Sequence, residues 1–345
     1  RNHTEATRHF RLLCVFFHSS CPYYLWYNSR EAAIILAGHL LRACGGAFLQ
    51  RPRFLHSDLL FHVSDVLRSA AEEAAFTMPK HPKRRTRRNL AVLALSALCL
   101  TGFLYWDNTA LQVTRFDPVF SDLPAGFDGC RIVVLSDLHG ASFGAHNADL
   151  LAAVAAEQPE YIFFLGDLED KYRGPEDGYP AETARGLSAI APTYYVTGNH
   201  EWAVGGVPAL KEILTANGVT VLSNQFVPLE RNGDTIVLAG IDDPNGYAGQ
   251  KSPEEVAGEV KEAAGDGFWL LMAHRNNLFD GEYCRLGADL VLSGHGHGGI
   301  WRLPFTDGLL GAGGQLLPGF TNGFYRCTDG HEAQVFVPRG LGGIP

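Results

Sequence analysis

The sequence contains no pair of cysteines in a C-x-x-C arrangement. Its seven cysteines are scattered over 345 residues, so neither a zinc knuckle nor a disulfide framework is indicated, and we expect free or buried thiols. Basic residues are in the minority, with 28 Lys and Arg against 37 Asp and Glu and a net charge of -9. Because phosphate backbones are bound by clustered positive charge, this balance argues against a nucleic-acid-binding protein.

Methionine is nearly missing as well. The chain begins at Arg1 and holds two methionines, Met78 and Met272. Residues 1–77 show no sustained hydrophobic periodicity. We interpret residues 1–77 as an atypical extension that is not native, with translation starting at Met78; a poorly ordered N-terminal domain is the alternative. N-terminal sequencing of the native protein distinguishes the two interpretations.

An uncharged run of seventeen residues, 90–106, follows a cluster of Lys and Arg between Lys80 and Arg88. This length is at the short end of what crosses about 30 Å of hydrocarbon, and the basic flank favours the cytoplasm for the N-terminal side. We therefore predict that residues 78–106 form a single-pass membrane anchor, with the rest of the chain outside the cytoplasm. Export followed by signal cleavage is the alternative, although no A-x-A site follows.

After a linker at 107–129, residues 130–345 alternate between short apolar runs and helical stretches. This alternation is typical of an α/β fold. The apolar runs that predict strands lie at 132–135, 161–165, 193–196, 236–239, 268–272 and 290–292. The stretches of helical composition lie at 149–157, 182–190, 209–216 and 253–264.

Side chains that commonly bind metals follow these predicted strands. They are Asp137 and His139, Asp167, Asn199 with His200, His274, and His295 with His297. In an open α/β sheet the strand ends converge on a crevice, so residues far apart in sequence meet there. Positions i and i+2 of an extended segment point the same way, so each D-x-H or H-x-H pair can bind one ion.

The composition of this set indicates the kind of metal. Four imidazoles, two carboxylates and one amide suit Mn, Fe or Zn better than Ca or Mg, which prefer oxygen ligands. Seven ligands exceed one tetrahedral centre, and a carboxylate such as Asp167 can bridge two ions about 3.5 to 4 Å apart. We therefore predict two divalent ions at one site.

Each motif alone has an ordinary explanation. Asp137-Leu138-His139 is common in solvated loops, and the G-N-H-E run that begins at Gly198 is also typical of a plain turn. Two histidines among glycines, as at His295 and His297, have no packing purpose and favour metal binding. The prediction depends on all the motifs occurring in order, each at the end of an apolar run.

Taken together, D-x-H, G-D-x-x-D, G-N-H-E, a lone His and G-H-x-H resemble the calcineurin-like metallophosphoesterases, and most closely their YkuE/YaeI-like branch. The resemblance extends from roughly Asp117 onward. It implies a four-layer α/β/β/α sandwich with two mixed β-sheets, here preceded by the predicted anchor helix. Gly296 stands where Thr is usual and Asn276 where Pro is common, which affects the expected substrate choice rather than metal binding.

The resemblance also implies roles for individual residues. One metal would be held by Asp137, His139, Asp167 and His297. The second metal would be held by Asp167, Asn199, His274 and His295. His200 matches the general acid that protonates the leaving oxygen, and Asp170 and Glu201 would orient neighbouring groups.

The expected activity is hydrolysis of a phosphomonoester or phosphodiester by attack of a metal-bridging hydroxide. An outward-facing domain favours an envelope or lipid-linked substrate. The main alternative is a catalytically silent, membrane-anchored protein that binds metal and interacts with a partner, although the presence of His200 argues against it. Amide or lactone cleavage is a weaker alternative, because the sequence lacks an H-x-H-x-D-H signature.

Overall fold

The computed structural model describes residues 8–17, 84–170, 178–299, 308, 310–311, 314–328 and 330–342. The chain divides into two compact units, of which the first comprises residues 1–25 and 107–345 and the second residues 26–106. The predicted metal-binding residues all lie in the first unit.

The first unit contains the strands of the structure. They are β1 (Arg8–His9), β2 (Arg11–Phe17), β3 (Leu111–Phe116), β4 (Val119–Phe120), β5 (Arg131–Leu135), β6 (Tyr161–Phe164), β7 (Thr193–Tyr195), β8 (Val219–Val221), β9 (Gln225–Arg231), β10 (Asp234–Ile241), β11 (Trp269–Arg275), β12 (Leu290–Gly294), β13 (Gly323–Arg326) and β14 (Gln334–Val337). The helices are α1 (Arg84–Thr109), α2 (Ala148–Ala156), α3 (Tyr179–Ser188), α4 (Asn199–Val204), α5 (Val207–Ala216) and α6 (Pro253–Ala264). Each predicted strand overlaps an observed strand, and each predicted helix overlaps an observed helix.

Two six-stranded mixed sheets form the framework. The first sheet has the order β3-β2-β5-β6-β7-β8, in which only the β2–β3 pair is antiparallel. The second sheet has the order β13-β14-β12-β11-β10-β9, with antiparallel pairs at both edges. The prediction of two mixed sheets is confirmed.

Alternating side chains divide the apolar core into layers. Ile132 and Val134 of the first sheet cluster with Leu270 and Met272 of the second. The intervening residues of the first sheet, such as Val133, cluster with helices α2, α3 and α5. Helix α6 covers the other face of the second sheet. The period of two in each strand thus places apolar side chains on both faces of both sheets, as a four-layer α/β/β/α arrangement requires.

The first sheet includes two segments that we predicted to lie outside the domain at 130–345. Strand β2 comes from the extension at 1–77, and strand β3 comes from the linker at 107–129. Leu12 and Cys14 of β2 face the core between the sheets, while Leu13 and Val15 face the helices. A strand buried on both faces shows no alternation of apolar and polar residues, so its sequence does not distinguish it from an irregular apolar stretch.

Replacing Leu12 with Ala is expected to lower the free energy of unfolding by about 2 to 5 kcal/mol, because a large buried side chain is removed from a packed core. The Leu12 side chain is 0% exposed. Arg11→Ala is the matched control, since the neighbouring Arg11 side chain is 57% exposed, and we expect a change below about 0.5 kcal/mol. Chemical denaturation measures both variants. Equal, small effects would show that β2 does not belong to the sheet in solution.

Helix α1 contains the predicted membrane segment, residues 90–106. Large apolar side chains of this helix, including Leu93 and Leu98, are exposed. Within the described part of the chain, no helix is both long enough and apolar enough to cross a membrane. The uncharged run falls short of the ~20 residues that a spanning helix usually needs. The structure therefore does not support the predicted anchor.

A disulfide joins Cys284 and Cys327, with 5.9 Å between the Cα atoms. The expectation of free thiols is therefore wrong for this pair. Because 43 residues separate the two cysteines, their spacing gave no indication that they meet. Among the described residues, Cys14, Cys99 and Cys130 are free.

Candidate metal centre

The predicted ligands lie where the central strands of the two sheets end. Five of them adopt the left-handed backbone conformation, with φ between 47° and 65°: Asp137, His139, Asp167, His295 and His297. Residues with a β-carbon rarely take this conformation, which costs free energy and is concentrated at functional sites. The chain therefore turns sharply at each ligand and directs these side chains towards one another.

Backbone hydrogen bonds join the ligand loops. The His139 N–H donates to the Asp167 carbonyl at 2.9 Å, and the His295 N–H donates to Asp137 Oδ1 at 3.0 Å. A β-carbon on Gly198 would lie within 3 Å of the Asp167 carboxylate, so glycine is required for the loops to approach this closely. These contacts connect loops from both sheets into one rigid frame.

The first group of candidate ligands consists of Asp137, His139 and His297, all of them buried. The Nε2 atoms of the two histidines are 3.0 Å apart, and His297 Nε2 is 3.4 Å from Asp137 Oδ1. Burial and the neighbouring His297 hold the pKa of His139 well below its usual range. His139 is therefore neutral, as a metal-ligating imidazole must be.

The second group consists of Asp167, His274 and His295, with Asn199 beside it. His274 Nδ1 donates to the Leu165 carbonyl at 2.6 Å. This hydrogen bond fixes the ring so that Nε2 points to Asn199 Oδ1 at 3.1 Å and to Asp167 Oδ2 at 3.2 Å. Fixing a ligand's second nitrogen in this way is typical of metal sites.

Asp167, a member of the second group, also faces His139 of the first group through one of its oxygen atoms. Its Oδ2 lies 3.7 Å from His139 Nε2 and 3.2 Å from His274 Nε2. Its other oxygen, Oδ1, accepts the backbone N–H of His200 at 2.8 Å. The carboxylate is thus fixed, with one oxygen facing the two clusters of ligand atoms, which is the arrangement that a bridging ligand needs.

The charges of these groups indicate which kind of ligand the site could hold. Burial alone would lower the pKa of His274, but the Asp167 carboxylate raises it to about 10. Burial would likewise raise the pKa of Asp167, but His274 holds it well below the usual range. With Nδ1–H bonded to Leu165, His274 Nε2 faces the acceptor oxygens of Asp167 and Asn199. A cation there replaces a proton, so the donor set fits divalent metal ions.

His200 lies at the more open side of this cluster. Its Nδ1 is 3.4 Å from Asp170 Oδ1, and its side chain is 11% exposed against 2% for Asp170. The ring meets the ring of His139 edge to face, with 4.4 Å between the ring centres. The Asp170 carboxylate therefore orients the imidazole beside the predicted ligands. His200 also forms, with His139 and Asp167, a third group whose geometry could hold a metal ion.

Glu201 is fully buried and connects two ligand loops. Its carboxylate accepts the backbone N–H groups of Gly198 at 2.7 Å, Asp167 at 3.0 Å and Glu169 at 3.1 Å. Burial and the nearby charge of Asp167 raise the pKa of Glu201 to about 7. Glu201 thus orients the backbone of the loops that carry Asp167 and Asn199.

Sequence reasoning missed two further features of this region. The side chain of Arg275, the residue after His274, forms a two-point pair with the buried Asp243 carboxylate. At the C-terminal end, the Leu341 N–H donates to the Ser136 carbonyl at 2.9 Å, which holds the segment after β14 beneath the Asp137 loop. The signal that could have indicated the Arg275–Asp243 pair is the acidic pair that follows strand β10, Asp242 and Asp243.

The family model of the calcineurin-like phosphoesterase domain matches residues 130–299, the stretch that carries every predicted ligand. This domain belongs to the calcineurin-like metallophosphoesterases. Members of this family use a dimetal centre, which agrees with the two groups of His and Asp ligand atoms that the structure brings together.

Curated relatives support this membership. A transmembrane protein with metallophosphoesterase domain from Danio rerio is 31% identical over 74% of this chain, and the match spans 59% of its own length. The metallophosphoesterase YkuE of Bacillus subtilis is 28% identical over 73% of this chain and 86% of its own. YpbG of the same organism is 29% identical over 74% of this chain and 92% of its own. The chain is thus similar to the YkuE-type branch, as predicted.

Proposed function

We propose that this metallophosphoesterase hydrolyses phosphomonoesters or phosphodiesters with two divalent metal ions. One observation carries the proposal: Asp167 Oδ2 lies between His139 Nε2 and His274 Nε2, at 3.7 and 3.2 Å. A carboxylate oxygen that faces histidines of two ligand groups can bridge two metal ions. A mononuclear site would not need a carboxylate in this position.

The proposed first metal is bound by Asp137, His139, Asp167 and His297. The proposed second metal is bound by Asp167, Asn199, His274 and His295. Mn, Fe or Zn fits this mixture of imidazole and oxygen ligands. When bound, two such ions would supply Lewis acidity at the phosphoryl oxygens and lower the pKa of bound water towards about 7.

The protein's own side chains supply the proton transfer. The Asp170 carboxylate lies beside His200 Nδ1 and orients the imidazole, which would give a proton to the leaving oxygen. We therefore assign His200 as the general acid, Asp170 as the residue that orients it, and Glu201 as the residue that fixes the Asp167 and Asn199 loops.

A combined metal and substrate assay tests this function. Purified protein loaded with Mn, Fe or Zn is expected to retain about two ions per chain and to hydrolyse p-nitrophenyl phosphate or bis-p-nitrophenyl phosphate. Phospholipids and other envelope phosphates belong in the same screen, because a lipid-linked or envelope phosphoester is the proposed physiological substrate class. Stable metal binding without hydrolysis of any phosphoester would instead favour the catalytically silent, metal-binding protein.

We also propose that the catalytic unit functions outside the cytoplasm. The Cys284–Cys327 disulfide supports this compartment, since disulfides persist mainly in oxidising environments. Thiol labelling of the native protein in intact cells tests the proposal. Neither Cys284 nor Cys327 is expected to react with the label before reduction, and both should react after it. Labelling of both cysteines without reduction would contradict an oxidising compartment.

A further inference from the structure

Arg275 places a positive charge at the edge of the metal centre, although it is not among the predicted ligands. It follows His274 directly, and in the sheet its Cα is paired with that of Gly294, the residue before His295. Its side chain is 20% exposed. The guanidinium is therefore carried by backbone that adjoins two ligands of the proposed second metal and retains access to solvent.

One buried carboxylate holds this guanidinium. Arg275 Nε donates to Asp243 Oδ2 at 2.6 Å, and Nη2 donates to Asp243 Oδ1 at 3.0 Å. The Asp243 side chain is 0% exposed, and its backbone N–H is bound by Thr197 Oγ1 at 3.3 Å. Such a two-point pair fixes both the position and the plane of the arginine.

The pair with Asp243 does not occupy all the N–H donors of the guanidinium. An arginine side chain has five N–H donors, and those on Nη1 make no hydrogen bond to another described residue. Arg275 thus presents a fixed, partly exposed guanidinium at the end of the strand that carries His274.

We propose that Arg275 binds a non-bridging oxygen of the phosphoryl group while Asp243 holds it in place. This proposal rests on the proposed function, since it assigns a substrate contact to the same centre. A planar guanidinium suits phosphate recognition better than a flexible ammonium group. A phosphomonoester dianion carries one more negative charge than a diester, so the contact should favour monoesters.

Arg275→Gln tests the contact by the binding of inorganic phosphate to the metal-loaded full chain. Calorimetry is expected to show a dissociation constant raised by about 10- to 100-fold, the loss typical of a hydrogen bond to a charged group. The metal content should stay unchanged. The value of kcat/KM should fall more for p-nitrophenyl phosphate than for its diester, and Arg275→Lys should retain part of the binding because it keeps the charge.

Arg231→Gln is the matched control. Arg231 also forms a two-point pair, with Glu160, at 2.6 and 3.2 Å, and its side chain is 18% exposed. It lies on β9, at the edge of the second sheet. Arg231 also donates to the carbonyls of Gly126 and Asp128. Its removal should therefore lower stability at least as much as Arg275→Gln does, whereas phosphate binding should not change.

The outcomes separate this proposal from the proposed function. Unchanged phosphate affinity in a metal-loaded Arg275→Gln variant would overturn the contact, as would loss of metal in both Arg275 variants. If the unmodified protein hydrolyses phosphoesters but Arg275→Gln binds phosphate with unchanged affinity, only the proposed Arg275 contact is wrong. If phosphate binding depends on Arg275 but no ester is hydrolysed, the contact stands and the proposed function fails.

Discussion

Asp167→Asn is expected to abolish phosphoesterase activity and to remove bound metal from the protein. The variant replaces the carboxylate whose Oδ2 faces both His139 and His274 with a neutral amide. Losing the shared anionic ligand weakens both proposed metal positions at once, and without the metals the main source of rate enhancement disappears. Elemental analysis after gel filtration measures the metal, and p-nitrophenyl phosphate turnover measures the activity.

Asp289→Asn serves as the control for this variant. Asp289 is another partly buried aspartate, and it accepts the backbone N–H of Trp269 at 2.8 Å, at the opposite end of strands β11 and β12. The control should keep its metal and its activity. Retention of two metals by Asp167→Asn would contradict the bridging position.

His200→Gln is expected to lower kcat by about 10² to 10⁴ while the metal content remains that of the unmodified protein. The proposed reason is that the proton for the leaving oxygen comes from His200, whereas the ligand groups on either side remain complete. The deficit should be larger for an alkyl phosphate than for p-nitrophenyl phosphate, because p-nitrophenolate leaves readily without a proton. Comparing the two substrates isolates the general-acid step from any effect on binding.

His146→Gln is the matched control, since His146 also pairs with a carboxylate, that of Glu182 at 2.7 Å, but is 76% exposed. Activity in this control should equal that of the unmodified protein. Because His200 also lies in a group that could hold an ion with His139 and Asp167, metal analysis is the decisive readout. If His200→Gln and Asp167→Asn lose metal equally, His200 is a ligand rather than an acid.

Sequence reasoning succeeded where the signal was local. Each ligand motif follows a strand directly, so the convergence of strand ends predicted that Asp137, Asp167 and His295 meet. The sequence did not show that the strands before them belong to two different sheets. The structure brings these residues together. Their assigned roles at the metals remain proposals, because ligand type and spacing do not by themselves distinguish a ligand from a neighbour such as His200.

The features that sequence reasoning missed depend on contacts between distant segments. The position of Leu12 in the core depends on β3 and β5, and the Cys284–Cys327 pairing depends on strand β13 lying near the segment after β11. In the sequence alone, Arg275 is an ordinary charged residue near the end of a strand, and only the structure shows that its side chain pairs with Asp243. None of these pairs has a characteristic spacing, so the sequence alone does not show which residues meet.

Strand β2 is synthesised before both of the strands between which it is inserted. Leu12 pairs in register with Phe116 on one side and with Ile132 on the other. The apolar run Arg11–Phe17 therefore stays unpaired while the ribosome synthesises the intervening residues. Pairings of such long range slow folding, and an unprotected apolar strand favours aggregation. The nascent chain should consequently depend on chaperones until β5 has emerged.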